Sequence, residues 1–348
     1  MKGLFCNHIS HSEWDEFVEN NKNSSIAHLY GWKEVIEKSY GHKSYYLQVI
    51  EKNELAGILP LVFINSRIFG RQLVSMPFLD YGGICVNEGE KQRDVIDRLL
   101  NGVLRLSKEL KADCIDLRHL RDMNIGWETR LQKVTMIIEL KSDENNMWKS
   151  LTSERRNRIR KSRKNNLEAL FCNADAIDEF YEIFAVNMRD LGSPVHSKAF
   201  FINIMKVFED RTKIILVKHN TKTIGAALCF LFKDTVSIPW VSSLRDYFKL
   251  YPNNILYWEA IKHGCSHGYK FFDFGRSSKG SGTFEFKRQW GAKSLQLFWD
   301  YYQMNNKGSA SGDISNSPKY QYAAEIWKKL PISLSKIIGP WLRKYISN

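Results

Sequence analysis

Long apolar runs are missing from this sequence, and no stretch approaches the length that crosses a bilayer. The start, MKGLFCNHISHSEWDEF, also lacks the apolar core of a secretion signal. The six cysteines are scattered without a CxxC pair, and among the nine histidines we identify no metal site. These absences predict a cytoplasmic protein with free thiols, no membrane span and no bound metal.

Acidic residues are in short supply. The chain has 51 Lys and Arg against 38 Asp and Glu, a formal net charge of +13. This balance favours polyanionic or phosphorylated partners such as nucleic acid, anionic lipid, a nucleotide-sugar or coenzyme A, without choosing among them. At 348 residues, with 43% hydrophobic and 13% aromatic content, the chain is long and apolar enough for two folded domains rather than disorder.

The order of predicted elements repeats in two halves. The first half gives a helix, three strands, a helix and a strand, at residues 29–40, 45–50, 55–64, 73–78, 91–110 and 114–120. The second half gives the same order at residues 198–210, 213–219, 223–232, 236–243, 252–268 and 270–275. We therefore predict a duplicated α/β fold with mixed sheets. Two unrelated α+β domains with a shared element order are the alternative.

A strongly basic helix is predicted where the halves meet. Arg155–Lys164 carries seven cations in ten residues and no acid, and SLTSE before it offers helix caps. Every side of this helix except Ile159 carries charge, so anion binding competes with a solvated surface as its role.

The chain after Asp300 changes character. An Asn/Ser/Gly-rich stretch indicates a linker, and the tail that follows is basic with interleaved Trp, Ile and Leu. Such a tail can lie on an anionic membrane surface or pack back onto the domain. Pro331 and Pro340 are expected to break it into short pieces.

The segment KFFDFGRSSKGSGTFEFKRQWGA, residues 270–292, is the most informative part of the chain. We interpret it as a mobile Gly/Ser loop between two aromatic strands. The loop region carries Arg276, Lys279, Lys287 and Arg288, which suit closure over an anionic ligand. A surface hairpin with solvated cations is the alternative.

Several segments, in order, resemble the FemAB/FemX-like acyltransferases, which are double-domain relatives of the GNAT acetyltransferases. They are FGRQLVSMPFLDYGG, RRNRIRKSRK, NMRDLGSPVH, PWVSSLRDYFKLYPNNILYW, and FDFGRS followed by TFEFKRQWGA. The most similar branch is linked to bacterial exopolysaccharide and exosortase systems. The resemblance implies tandem GNAT-like domains at residues 1–150 and 151–305, the second preceded by the basic helix, with a linker and amphipathic tail at 306–348.

The resemblance implies transfer of an acyl or aminoacyl group to an amine of a cell-envelope or exopolysaccharide precursor. The glycine-rich pyrophosphate signature of ordinary acetyl-CoA enzymes is absent after residues 236–243, where LRDYFKLYPNNILYW stands. The donor therefore stays open between acyl-CoA and aminoacyl-tRNA as co-substrate. A tRNA-dependent peptidoglycan bridge enzyme and a basic nucleic-acid-binding protein are the alternatives. A peripheral position on the inner face of the cytoplasmic membrane is a further expectation.

The resemblance also suggests site residues. Lys287 matches a family lysine and is assigned to stabilise negative charge, although Gln289 and Trp290 replace the usual pair after it. Asp116 is the candidate proton acceptor or amine anchor, and His196 a candidate base. The expected substrate-binding residues are Lys33 and either Arg158 or Arg160 for phosphate, Arg276 for an anion, and Tyr81, Trp240, Arg245 and Tyr257 as lining of the groove.

Overall fold

The computed structural model describes residues 10–304 and 318–347. It divides the chain into two compact units: the first contains residues 10–133, 296–304 and 344–347, and the second contains residues 134–295 and 318–343. The sequence-based division at residue 150 thus differs from the structural one, which falls at residue 133. The chain also returns to the first unit after residue 295.

The helices and strands are as follows. The helices are α1 His11–Asn20, α2 Trp32–Tyr40, α3 Gln92–Glu109, α4 Glu144–Ser150, α5 Ser153–Lys164, α6 Ile177–Asp190, α7 Lys198–Val207, α8 Pro252–Ser266, α9 Gly282–Arg288, α10 Pro318–Lys328 and α11 Ile332–Arg343. The strands are β1 Lys43–Glu51, β2 Glu54–Ser66, β3 Gly70–Val74, β4 Cys85–Val86, β5 Cys114–His119, β6 Glu128–Arg130, β7 Lys133–Glu139, β8 Leu167–Cys172, β9 Thr212–His219, β10 Lys222–Phe232, β11 Thr235–Ser243, β12 Phe271–Ser278, β13 Lys293–Gln296 and β14 Phe298–Gln303.

The first unit is built on a mixed sheet in the order β1-β2-β3-β5-β14-β6, with β4 paired to β2. β1 and β2 form a hairpin whose turn residues, Lys52 and Asn53, both have positive φ. Such a turn follows the right-handed twist of the strands. β3 and β5 are parallel, and α3 crosses between them with an apolar face that packs on the sheet.

The second unit repeats this pattern in the sheet order β13-β7-β12-β11-β10-β9-β8. β9 and β10 are antiparallel, β10 and β11 are antiparallel, and β11 and β12 are parallel. β1, β2, β3 and β5 have the same succession of pairings. The prediction of a duplicated α/β fold with mixed sheets is confirmed.

Each sheet holds one strand from a distant part of the sequence. β14 follows the second unit in the chain but lies between β5 and β6 of the first sheet. In the second sheet, β7 has the corresponding place beside β12 although it precedes every other strand of that sheet. The first sheet is therefore not completed by one continuous stretch of chain, whereas all strands of the second sheet lie within residues 133–296.

Two local predictions are wrong. The third strand ends at Val74 rather than 78, because Met76 and Phe78 have φ of 46° and 74°, which a strand does not accommodate. The segment after Gly280 is not an aromatic strand but α9. The Ser281 side chain accepts a hydrogen bond from the backbone N of Phe284 and starts a helix at once. The expected Gly/Ser loop shrinks to a turn because β12 runs on to Ser278.

The C-terminal helices α10 and α11 pack against α6. Pro331 separates the two helices, as expected, but Pro340 lies inside α11 and does not end it. The prediction that both prolines break the tail is therefore wrong for Pro340. The linker predicted from residue 306 lies largely outside the described residues.

Candidate active site

The parallel pair at the centre of the second unit separates along its length. β11 and β12 are in register only over Thr235–Ser237 and Phe271–Asp273. Both strands continue well beyond this register. Past it, the two strands are not joined in a common ladder. On the β12 side, Gly275 N and the carbonyls of Gly275 and Arg276 bond to side chains.

Helix α8 begins close to the end of β11. The Ser243 hydroxyl donates to Asn253 Oδ1 over 2.7 Å, which ties the last residue of β11 to the first turn of the helix. Tyr251 precedes the helix with φ of 64° and gives it no side-chain cap. The first N–H groups of a helix carry partial positive charge, so this end of α8 favours a negatively charged group.

Arg155 is a buried cation that the sequence reasoning missed. Its side chain points inward from α5 and is 1% exposed. One Nη donates to Asn254 Oδ1 over 2.5 Å and the other donates to Gln289 Oε1. The guanidinium carbon lies 5.0 and 4.9 Å from the ring centres of Phe286 and Trp290.

Neutral oxygens and aromatic faces thus surround the Arg155 charge, and its Nε is buried without a hydrogen bond. Burial lowers the pKa of Arg155 to about 10, with a contribution from the nearby Arg158 charge. The sequence contains a signal that points to Arg155. Ile159 marks the uncharged side of the basic helix, and Arg155 lies four residues before it on the same face.

Lys287 is buried on α9, with 7% of its surface exposed. Its ammonium donates to the carbonyl oxygens of Gly275 and Arg276, both at 2.8 Å. These carbonyls belong to β12, so the lysine joins α9 to the separating strand. The two hydrogen bonds fix the position of the ammonium group, and burial strengthens the electrostatic field of its charge.

The strand under Lys287 is itself held in place by Asp273. One oxygen of this carboxylate accepts from the Thr135 hydroxyl at 2.5 Å and from Gly275 N at 2.8 Å. Gly275 has φ of 75°, which favours glycine. Asp273 therefore orients the carbonyl that receives the lysine.

Of the other predicted residues, Arg276 and Tyr257 lie near α9. Arg276 is half-buried, and its carbonyl contacts Lys287. The Tyr257 ring centre is 5.5 Å from that of Phe286 and 6.1 Å from that of Trp290, and burial raises the Tyr257 pKa. The structure thus gathers Lys287, Arg276 and Tyr257 around one short helix.

Arg158 and Arg160 lie on the outer side of α5. Arg158 pairs with Glu154 at 2.5 Å, and Arg160 lies 5.5 Å from the ring centre of Trp148. The inward and outward cations of the basic helix therefore have different surroundings.

Trp240, Arg245 and His196 lie elsewhere in the second unit. Trp240 is buried among phenylalanine rings, and the exposed Arg245 donates to the carbonyl of Asp190 at 2.9 Å. His196 is buried, and its Nε2 accepts from Arg343 Nε at 3.0 Å. Burial and the Arg343 charge hold the His196 pKa well below its ordinary value. The neutral ring of His196 therefore contacts the end of α11 through Arg343. The role of His196 as a catalytic base stays a prediction.

Asp116 lies on β5 in the first unit and is paired with Arg118. Asp116 Oδ2 accepts from Arg118 Nε at 3.2 Å and from Nη2 at 2.9 Å. The guanidinium also lies over the Trp299 ring at 4.4 Å and donates to the Ser347 carbonyl at 2.8 Å. Any reaction of the carboxylate would take place beside this buried cation.

Lys33 and Tyr81 also belong to the first unit. Lys33 is half-buried on α2, with its ammonium 5.7 Å from the ring centre of Tyr30. Tyr81 is half-buried in the loop after β3, and the neighbouring Gly82 N donates to the Arg118 carbonyl at 3.0 Å.

One histidine pair has the i, i+4 spacing that metal ligands on a helix can have. His263 and His267 lie four residues apart on α8 and after its end, with ring centres 3.9 Å apart. Burial and His267 lower the pKa of His263 to about 4. Across residues 10–304 and 318–347 no three ligating side chains form a group that could hold a metal ion. In the same residues no helix is long and apolar enough to cross a membrane.

Residues 153–288 match the family model described as Acetyltransferase (GNAT) domain. A structure of FemX is similar to this chain with a TM-score of 0.70 at 16% identity, covering 91% of this chain and 99% of that one. A tandem GNAT protein from the clavulanic acid biosynthesis pathway gives 0.56 at 8% identity, covering 86% and 96%. The C-terminal domain of a putative lysylphosphatidylglycerol synthetase from Agrobacterium fabrum gives 0.56 at 9%, covering 85% and 91%.

A comparison with curated proteins finds no match. The domain match covers the separating strands, α8, α9 and both buried cations of the second unit. The same overall fold recurs in FemX and in a tandem GNAT protein. The chain is therefore an N-acyltransferase that contains a GNAT acetyltransferase domain.

Proposed function

We propose that the chain transfers an acyl or aminoacyl group from an activated donor to an amino group of a cell-envelope or exopolysaccharide precursor. The observation that carries this proposal is the separation of β11 and β12 in the GNAT domain, beside α8 and the fixed Lys287. The proposed location is the cytoplasm, on the inner face of the cytoplasmic membrane.

The donor site is proposed to follow the separating strands. An amide-containing chain, such as the pantetheine arm of an acyl-CoA, is proposed to lie along the strands past their common register, as an added strand does. Its phosphates would lie at the first turn of α8, where backbone N–H groups and the nearby Arg155 charge favour an anion. The 3′ end of an aminoacyl-tRNA offers phosphates to the same turn.

In the reaction, the acceptor amine attacks the carbonyl carbon of the donor. A C–N bond forms, negative charge builds on the carbonyl oxygen, and the thiolate or ribose oxygen leaves as the intermediate collapses. We assign Lys287 to the charge on that oxygen, because a buried ammonium held by two carbonyls does not reorganise as the charge develops. Asp116 is proposed to anchor the amine or take its proton.

Replacing Lys287 tests this assignment. Lys287→Ala should lower kcat by roughly a hundredfold or more if the lysine stabilises the transition state. It should also cost ~1–3 kcal/mol of stability, because two buried carbonyls lose their donor. Lys287→Arg should restore only part of the rate, since the planar guanidinium of arginine places its charge differently from the ammonium of lysine.

The matched control is Arg288→Ala, which removes the next cation of the same helix. Arg288 is exposed and pairs with Glu285 at 2.8 Å, so its loss should change little. If Lys287→Ala raises KM and leaves kcat unchanged, the lysine binds a substrate phosphate equally in the ground state and in the transition state. Full activity of a folded Lys287→Ala would remove it from the site.

A tRNA-dependent aminoacyl transfer to peptidoglycan is the second candidate, and the fold shared with FemX favours it. Incubation with a panel of acyl-CoAs and of charged tRNAs, followed by mass spectrometry of transferred groups, separates the two donors. A role as a simple nucleic-acid binder has less support, because Arg155 points into the unit and Arg163 pairs with Glu259.

The basic helix is proposed to assist anion binding through Arg158 and Arg160. Arg276, Lys33 and the residues expected to line a groove (Tyr81, Trp240, Arg245 and Tyr257) are kept as substrate-binding proposals.

A further inference from the structure

Helix α11 has its polar and apolar sides reversed relative to an ordinary surface helix. Ser335 and Gly339 are buried against the second unit. A Cβ added to Gly339 would lie 2.9 Å from Val195 Cγ1, so the helix backbone itself forms the contact. The large apolar residues face the other way: Leu334, Ile337, Ile338 and Trp341 are 43%, 72%, 39% and 54% exposed.

These four residues form one continuous face. Their spacing of three, four and seven residues places them on the same side of the helix. A surface helix normally packs such a stripe against the core, and contiguous exposed apolar surface of this kind marks an interaction site. Helix α10 adds Tyr322 and Ile326, which are 72% and 49% exposed.

The charges near this face select the partner. Residues 328–343 contain four cations, Lys328, Lys329, Lys336 and Arg343, and no carboxylate. Lys336 pairs with Glu182 of α6 and Arg343 contacts His196, so these two face the protein. Lys328, the last residue of α10, and Lys329 after it are both exposed, although Lys328 pairs with Glu325.

A second copy of the chain is a poor partner for this face. A symmetric dimer would bring the exposed Lys328 and Lys329 of both copies together. A bilayer with anionic lipids fits better, because its interface takes up apolar side chains and attracts the flanking lysines. Tryptophan is also favoured at that depth. With twelve residues the helix is ~18 Å long, which suits lying on the surface rather than crossing it.

We infer that the apolar face of α11 docks the enzyme onto an anionic lipid bilayer. The face requires no change in the unit to become accessible, since its side chains are already exposed. The inference is independent of the donor and acceptor proposed above, because it concerns binding to lipid and not the reaction. Vesicle binding therefore tests it even if the proposed acyl transfer fails.

The experiment is co-sedimentation of the full chain with vesicles of phosphatidylglycerol and phosphatidylcholine, compared with vesicles of phosphatidylcholine alone. The wild type should bind the anionic vesicles much more strongly. The double change Ile337→Ser and Trp341→Ser should lower that binding roughly tenfold or more, because it removes the two most exposed apolar side chains of the face. Lys328→Gln with Lys329→Gln should lower it by roughly fivefold per lysine and reduce its sensitivity to salt.

The matched control is the double change Ile202→Ser and Phe248→Ser, which removes exposed apolar side chains elsewhere on the same unit. This control should bind like the wild type. Thermal unfolding of each variant shows that the fold is retained. Equal vesicle binding by the α11 variant and the control would overturn the inference. Absence of lipid binding, with self-association abolished by the α11 changes in size-exclusion chromatography, would also overturn it and assign the face to a second copy.

Discussion

Arg155 shows how a single side chain can organise a site without an ion pair. A buried cation usually has a carboxylate partner, because taking a charge out of water is costly. Here two amide oxygens and two aromatic rings contact the guanidinium in place of a carboxylate. The planar fork of arginine reaches Asn254 on α8 and Gln289 after α9 at once, and so links the basic helix to the segment that carries Lys287.

Arg155→Lys should therefore destabilise the protein although it keeps the charge. A lysine loses the two-pronged contact and changes the cation–π contacts with Phe286 and Trp290, with an expected cost of ~1–3 kcal/mol in the free energy of unfolding. Urea unfolding measures it. Arg158→Lys on the same helix is the control and should change stability by less than ~0.5 kcal/mol, since its pair with Glu154 is a surface pair. Equal effects of the two substitutions would contradict the proposed role of Arg155.

Helix α9 depends on the residue that caps its N-terminus. Ser281→Ala removes the hydroxyl that accepts from Phe284 N and should cost about 1 kcal/mol of stability. Ser281→Asp keeps an acceptor at the same place and should retain most of that stability. Because α9 carries Lys287, the alanine variant should also lose activity. Urea unfolding and steady-state rates measured on both variants test the cap, and identical behaviour of Ala and Asp would show that it contributes nothing.

The α9 segment also shows where sequence reasoning reached its limit. In TFEFKR, apolar and polar residues alternate, which is typical of a strand. The Ser281 cap overrides this pattern locally and gives a helix. By contrast, β1, β2, β9 and β10 were predicted within about two residues of their ends. Their apolar runs are bounded by polar turns, and that signal is local.

The sequence alone predicts only part of the candidate active site, for a related reason. Lys287 was found through family resemblance, but its bonds to Gly275 and Arg276 depend on α9 and β12 packing together. Arg155 was passed over in favour of Arg158 and Arg160, because composition counts cations and does not show which of them points inward. The places of β7 and β14 in the sheets are non-local pairings that no local pattern specifies.

On the scale of the whole molecule, the first sheet depends on a strand from far along the chain. β14 completes the sheet of the first unit only after the chain has formed the second unit. Contacts between such distant residues are slow to form, because the loop between them must close first. The fold therefore depends on the chain as a whole, and its stability is best measured on the full chain.

Three histidines make that stability depend on pH. Burial lowers the pKa of His42, His196 and His263, the last to about 4. In the unfolded chain a histidine has a pKa near 6.5, so between the two values the unfolded state binds more protons than the folded state. The stabilisation is therefore fully present above pH ~6.5 and is lost as the pH falls toward the folded values.

Lowering the pH from about 7 to about 5 should thus destabilise the protein by at most ~1.4 kcal/mol per pH unit for each histidine. The half-exposed His263 contributes less because solvent screens its charge. Carboxylates have reference pKa values near 4, so the histidines dominate this window. His196→Gln keeps an acceptor for Arg343 and should flatten the dependence. Urea midpoints at several pH values measure the slope. A protein that is as stable at pH 5 as at pH 7 would show that these histidine rings can be protonated in the folded state.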